Sequence, residues 1–463
     1  MTKQKHTDDE WVEKIEKAIV SGNKRELVNL KQLIGKSSSR KFLYPFIYRR
    51  GRQAFMRGDE AVAEGLLYWL EMLDEGNWHA HLAAAEVRQK RQGAEEANNK
   101  FLKHLTNYPV FRYQPTTENN KITCGILLTK GNGKTTFTNG GFSLPSGLTE
   151  SQHLTGSKSF DVSMVFIEGL RDSKVLNNFD ILINSISDAD LYYDELMQLS
   201  NLLSTCSTPV INSPEATINN TRCQLTSERA QIEHVIFPRT IRLKLNGTEN
   251  CEIKENVKKL GLRFPILFRP AGTQTGEGLI KIDKEQDLPL TVTAGDYYLS
   301  EYHDFRSVDG YYRKYRLWSI GERIVHNHVL IGETWNVHGT SRFSTMLKNP
   351  SLLAEDASYV EKGLPDYNQC LQSIVDTIKN ITKLDYFGVD YGIGESGIPV
   401  VFEANATMRS NYPEIAESYP HAKIALSRHT EAFESLVKKS SSLHLNRSVQ
   451  NKDAALFRDL WIK

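Results

Sequence analysis

The 463-residue chain predicts an α+β multidomain fold on three observations. Apolar residues recur every three or four positions from residue 8 to about 107, and strand-like runs take over from Lys121. A short apolar hairpin with three oxygen ligands closes the strand-rich part. The length suggests about three domains. The expected divisions are a helical-repeat domain at 1–115, a small α/β domain at 116–215, a larger two-lobed domain at 216–440 and a tail at 441–463.

Composition narrows the function classes. The chain is 40% hydrophobic and 24% charged, with a formal net charge of +1, so no electrostatic footprint for nucleic acid is expected. No h-region opens the chain and no apolar run reaches 18 residues, which predicts a cytoplasmic protein without membrane partners. Five scattered cysteines without a C-x-x-C pair suggest neither a disulfide framework nor a zinc site.

In the first domain, Trp11, Ile15, Ala18 and Ile19, then Leu66, Leu67, Trp69, Leu70 and Leu73, mark amphipathic helices. Gly51, Ala63 and Leu67 recur 34 residues later as Ala85, Ala97 and Phe101, a spacing that resembles tetratricopeptide helix pairs. Small residues there serve close helix packing, or the helices build a groove for a peptide partner. In the second domain ITCGILL, DVSMVFI and DILINSI are strand candidates, and a helix is expected over 188–203. Lys130 to Thr136 imitates a phosphate loop but puts Leu128 where the first glycine belongs, so a hairpin is expected.

The third domain carries the chemistry. A helix is expected from Glu215 to about His234. The apolar strand at 264–270 ends in Arg269-Pro270 and runs into a loop with Gly272, Thr275, Gly276 and Gly278, before a second strand at 279–282. Glycines permit positive φ and close backbone approach, so such a loop can fold over phosphates beside a cation. A plain turn is the simpler alternative.

Tyr386 to Asn405 reads as a hairpin around Gly394–Gly397. Pairing Ile393 with Ile398 sets Asp390 opposite Val401, and the period of two then puts Asp390, Glu403 and Asn405 on one face. Two carboxylates and an amide without His or Cys suit Mg²⁺, and hence nucleotide chemistry. Acids solvated on a surface hairpin are the alternative. Lys314 and Arg316 share a strand face in the polar stretch 309–322. His326 and His328 do likewise on the expected return strand; His328 is a candidate lining residue, and a two-His metal site would lack further ligands.

In their order, these segments resemble the ATP-grasp superfamily from Asn212 to Asn405. Asn212-Ser213-Pro214-Glu215-Ala216 is similar to its N-S-P-x-A entry, 264–278 to its strand and glycine loop, Ser300-Glu301-Tyr302 to its adenine-side segment, and Asp390, Glu403 and Asn405 to its metal ligands. The resemblance implies a C-terminal ATP-grasp fold preceded by a pre-ATP-grasp domain. It implies an ATP- and Mg²⁺-dependent ligase that joins a carboxylate to an amine through an acyl phosphate, with small-molecule or peptide substrates. Arg222 and Arg269 stand where phosphate-binding lysines are usual, and Arg316 where a catalytic Arg is usual. Glu301, Tyr302, Asp309 and His328 become nucleotide-binding candidates, and Arg409 a candidate for a substrate carboxylate. The frequent P-G after the last ligand is replaced here by Ala406-Thr407-Met408-Arg409-Ser410. A small-molecule kinase, or a helical scaffold with a non-catalytic nucleotide site, are the rival readings.

Overall fold

The computed structural model describes residues 8–35, 40–73, 78–112, 121–129, 136–138, 141–143, 154, 157–226, 230–247, 251–259, 261–273, 276–288, 292–407 and 418–448. The chain divides into two compact units: 1–111 with 133–145 and 168–171, and the remainder.

Among its described residues, the first unit is built on six helices: α1 (Asp8–Val20), α2 (Lys24–Gly35), α3 (Arg40–Met56), α4 (Glu60–Leu73), α5 (Trp78–Gln92) and α6 (Ala94–Asn107). The 34-residue spacing falls on α3–α4 and α5–α6. Gly51 lets α3 approach α4, because a Cβ there would lie 3.0 Å from Leu67 Cγ. Ile15, Leu66, Trp69 and Leu70 are fully buried between these helices.

Among the described residues, the second unit contains three sheets. Strands β1 (Ile122–Leu128), β2 (Phe160–Phe166), β3 (Ile181–Asn184) and β4 (Val210–Ile211) pair in parallel in the order β2-β1-β3-β4. Their near-continuous apolar runs fit a sheet covered on both faces. The helix expected from Asp188 begins only at Tyr193 as α7 (Tyr193–Leu203), because Asp188 Oδ1 accepts the Asp190 and Leu191 N–H groups and holds a turn. Lys130–Thr135 lies outside the described residues.

Helix α8 (Pro214–Ile218) is capped by Ser213, whose hydroxyl accepts the Ala216 N–H. It ends far short of the expected His234. Beyond Asn219 the chain runs in turns that bring Arg222 to the hairpin face described below. Strands β5 (Thr240–Leu245), β6 (Ile266–Pro270), β7 (Ile280–Ile282) and β8 (Gly295–Glu301) form an antiparallel sheet in the order β7-β6-β8-β5, and α9 (Cys251–Lys259) packs on it through Ile253 and Val257. The glycine loop thus joins β6 to β7, as expected.

The other antiparallel sheet has the order β10-β9-β11-β12, from β9 (Tyr312–Ile320), β10 (Arg323–Gly332), β11 (Tyr386–Ile393) and β12 (Pro399–Asn405). The short α10 (Ser341–Ser344) follows β10; then come α11 (Pro350–Lys362) and α12 (Asn368–Thr382). Tyr315, Leu317, Val389 and Tyr391 bury one sheet face against Tyr359 of α11 and Ile374 and Val375 of α12. The last helix, α13 (Ala422–Ser448), runs through residue 441, where the tail was expected to begin.

One buried side chain ties the sheets together. Asn212, at the end of β4, adopts φ 57°, and its amide makes four hydrogen bonds. Oδ1 accepts the Asp385 and Tyr386 N–H groups at 2.9 and 3.0 Å; Nδ2 donates to Tyr386 O and Ala406 O at 2.6 and 3.1 Å. Both ends of the β11–β12 hairpin therefore hang from one residue. At about 1 kcal/mol per bond, losing these four bonds in Asn212→Ala should cost roughly 4 kcal/mol, measured by urea unfolding. A loss below about 1 kcal/mol would count against this pin.

Candidate active site

Four strands build the site as a row. His328, Arg316, Asp390 and Glu403 are successive cross-strand partners on β10, β9, β11 and β12. Directly opposed residues share a face with Cβ atoms about 5 Å apart, so these side chains converge.

Two β-bulges make the row. The hairpin register differs from the expected one: Ile393 pairs with Pro399, so Tyr391 opposes Val401. Continued regularly, that register would set Asp390 against Phe402 and send Glu403 to the opposite face. A bulge at Phe402 instead pairs Asp390 with Glu403, and Asn405, two residues on, shares their face opposite Gly388. On the other side, a bulge at Asn327 pairs Arg316 with His328 but Leu317 with His326. The expectation that His326 and His328 share a face is therefore corrected. His326 lies against the Tyr359 ring on the helix-covered face, 5.0 Å between centroids.

Asp390 is 1% exposed, too dry for an unpaired charge. Arg316 binds it in a fork, Nε to Oδ1 at 2.7 Å and Nη2 to Oδ2 at 2.9 Å, and Lys314 Nζ adds a contact at 3.3 Å. Burial pushes the Asp390 carboxyl up, but the Arg316 and Lys314 charges outweigh it and hold the group below the usual carboxylate range. Glu403 forms an ion pair with Arg222. Burial opposes its ionisation too, and Arg222 prevails to lower it. Burial, then the Arg222 charge, bring Arg269 down to about 10. Its guanidinium is held by Thr273, with Nη2 at 3.0 Å from Oγ1. Burial, then Arg342, Arg316 and Lys314, hold the buried His328 imidazole well below its ordinary value, and its Nδ1 lies 2.5 Å from Asn327 Oδ1.

The remaining candidates spread around this centre. Gly272, Gly276 and Gly278 all take positive φ, and a Cβ at Gly272 or Gly276 would collide with Leu191 or His338. Glu301 Oε2 accepts the Arg239 N–H at 3.2 Å. The Tyr302 ring lies under Lys281 Nζ at 4.3 Å and meets the Trp335 edge. Asp309 is gripped by Arg313, which also binds Glu355 of α11. Thr275 and Arg409 lie outside the described residues.

Several neighbours escaped the sequence reading. Asp190 accepts two contacts from Tyr298 Oη, at 2.7 and 2.9 Å, and one from Arg242 at 2.8 Å; its charge reaches Arg222 and Arg269. Arg342 is 4% exposed, with its guanidinium 5.9 Å from the Tyr419 ring centroid. Strand periodicity carries no signal for such residues, one on a turn and one in the short helix α10.

No three-member cluster of His, Cys, Asp and Glu occurs among the described residues. The donor set is instead two ionised carboxylates with an amide beside them, hard oxygens that fit Mg²⁺. The cations now paired to those carboxylates are the groups that could turn to phosphates.

No family model matches the chain, and no curated protein matches it in sequence. Solved structures do resemble it. The D-Ala:D-Ser ligase VanG of Enterococcus faecalis is 11% identical with a TM-score of 0.42, over 68% of this chain and 99% of that one. D-Alanyl-alanine synthetase A of Vibrio cholerae is 14% identical at 0.44, over 70% and 100%. A RimK domain ATP-grasp protein of Sphaerobacter thermophilus is 11% identical at 0.37, over 66% and 98%. At such identities no residue's role passes from them to this one.

The folded-state pKa of Asp390 lies below the unfolded one, so its stabilisation is present above about pH 4 and is lost as pH falls. In metal-free buffer Asp390→Asn should cost about 3 kcal/mol at pH 7 by leaving buried cations unpaired. The gap to wild type should narrow below about pH 4, because the unfolded chain's Asp390 takes up a proton there while the native carboxylate still holds its charge. A gap that stays constant down to about pH 2 would refute the assignment.

Proposed function

We propose that the chain is an ATP-grasp-type ligase that activates a carboxylate with ATP and joins it to an amine, releasing ADP and phosphate. The observation that carries this reading is the row Arg316–Asp390–Glu403, flanked by Lys314, Arg222 and Arg269. Six charged groups of both signs meet there in a dry setting. Such an arrangement is costly to fold and suits a triphosphate with its cation.

Phosphoryl transfer asks a protein chiefly for positioning and for neutralisation of developing negative charge. Asp390, Glu403 and Asn405 would hold Mg²⁺, which when bound neutralises charge on the terminal phosphates. Arg222 and Arg316, released from those carboxylates, would bind phosphate oxygens, as would Arg269 beside the glycine loop. Lys314 and Arg316 would hold the transferring phosphoryl group against the substrate carboxylate. The loop with Gly272, Thr275, Gly276 and Gly278 would cover the triphosphate and exclude water that hydrolyses an acyl phosphate. Glu301 and Tyr302 fit the base end of the nucleotide, and Asp309 and His328 complete its lining. The amine then displaces phosphate, with Arg409 assigned to a substrate carboxylate. The substrates are small molecules or peptides, and the helical unit is a candidate for presenting a peptide.

Glu403→Ala should lower ADP release by at least about a hundredfold without unfolding the chain, measured by coupled ADP assay and circular dichroism. Retained turnover would remove Glu403 from the site. With ADP release screened over amino acids and peptides, added hydroxylamine should yield a hydroxamate of the activated acid. ADP release with a phosphorylated product and no hydroxamate would identify a kinase instead.

A further inference from the structure

One polar group near this site has no role in the reading above. His338 lies on the segment after β10, and three contacts fix its backbone. Val337 is buried with Phe305, Tyr312 and Leu330. Trp335 meets the Tyr302 ring edge-on, 5.9 Å between centroids, and His338 O accepts the Ser341 N–H at 2.9 Å where α10 begins.

The ring is pressed beneath the glycine loop. Gly276 takes φ +75°, and any Cβ there would collide with His338 Nε2, so only glycine allows this approach. Lys314, Arg269, Glu403 and Asp390 all act on the ring, two cations and two carboxylates of the proposed phosphate and metal site. Burial, then Lys314 and Arg269, hold the imidazole below its ordinary value, so it is neutral near pH 7. Its Nε2 is buried and has no hydrogen-bond partner among the described residues. An unsatisfied buried polar atom is costly, and at a functional site it calls for a ligand.

We propose that His338 donates its Nε2–H to the terminal phosphate of bound ATP beneath Gly276, making it the residue by which the site tells ATP from ADP. This rests on the nucleotide reading above and assigns a residue outside its set of cations. Phosphate oxygens only accept hydrogen bonds, and a neutral imidazole can carry its single hydrogen on Nε2. The terminal phosphate is the one chosen because Lys314, Asp390 and Glu403, whose charges reach the ring, belong to the end of the site assigned above to phosphoryl transfer. A neutral donor adds direction without further charge, in a place already crowded with guanidinium groups.

The test uses the full chain with Mg²⁺ and calorimetric titration of ADP and of adenylyl-imidodiphosphate, which resists hydrolysis. His338→Ala should weaken the analogue about tenfold while ADP affinity stays within about twofold, and His338→Gln should recover part of the loss through its amide N–H. A melting temperature close to wild type shows that each variant is folded. Equal weakening of both nucleotides, or no change in either, would overturn the proposal while leaving ATP binding intact. Absence of binding by the wild type would overturn the nucleotide reading and this proposal together.

Discussion

Asp390 is the group on which the charge balance of the second unit's candidate site depends. Its carboxylate is almost entirely withdrawn from water and is held by a bidentate guanidinium and an ammonium from the neighbouring strand. A lone charge in that place would protonate or unfold its surroundings. The two cations keep it ionised, and ionised it repels Glu403 at the paired position one strand away. Arg222 compensates that repulsion. Each charge in the row is there because the next one needs it, and under the proposed function these internal ion pairs would be exchanged for a metal and phosphates.

Such an exchange needs a rigid frame. The sheet below the row is packed by Tyr315, Tyr391 and Tyr359, and Tyr359 Oη donates to the Arg316 carbonyl at 3.1 Å and meets Tyr391 Oη at 3.2 Å. Aromatic packing and a satisfied polar contact thus fix the backbone from which Arg316 rises. At the hairpin's open end Asn212 does the same work, holding residues 385, 386 and 406 through one amide. Its αL backbone suits asparagine, whose short amide tolerates φ > 0. An Asn that reads as part of an N-S-P-x-A entry is therefore also a structural clamp on the hairpin that carries the carboxylates.

Much of this was legible in the sequence. Helical periodicity marked the first unit, and the strand, glycine loop, strand order marked the β6–β7 hairpin. The period of two correctly put Lys314 with Arg316, and Asp390 with Glu403 and Asn405. The route to the second grouping was nevertheless wrong. The connection between β11 and β12 has one residue more than expected, which alone would have turned Glu403 away. The Phe402 bulge adds a second shift of one, and two such shifts restore the face. At His326 only one shift occurs, so the expected pairing with His328 fails. Bulges follow local packing and twist, such as Phe402 against Phe305 at 4.8 Å, and a single strand's pattern does not reveal them.

The sequence by itself determined which residue types could meet: hard oxygens, arginines and glycines in a fixed order, which suffices to suggest phosphate chemistry. Only the tertiary structure decided who pairs with whom. The helix expected to run to His234 stops at Ile218, and that break delivers Arg222 to Glu403. Asp190 arrives from a turn, and His338 and Arg342 from the loop and short helix α10 after β10, segments too short for any periodicity to operate. Local patterns follow from the geometry of one strand or helix. The charge balance of a buried site depends on distances between elements, and those exist only after folding.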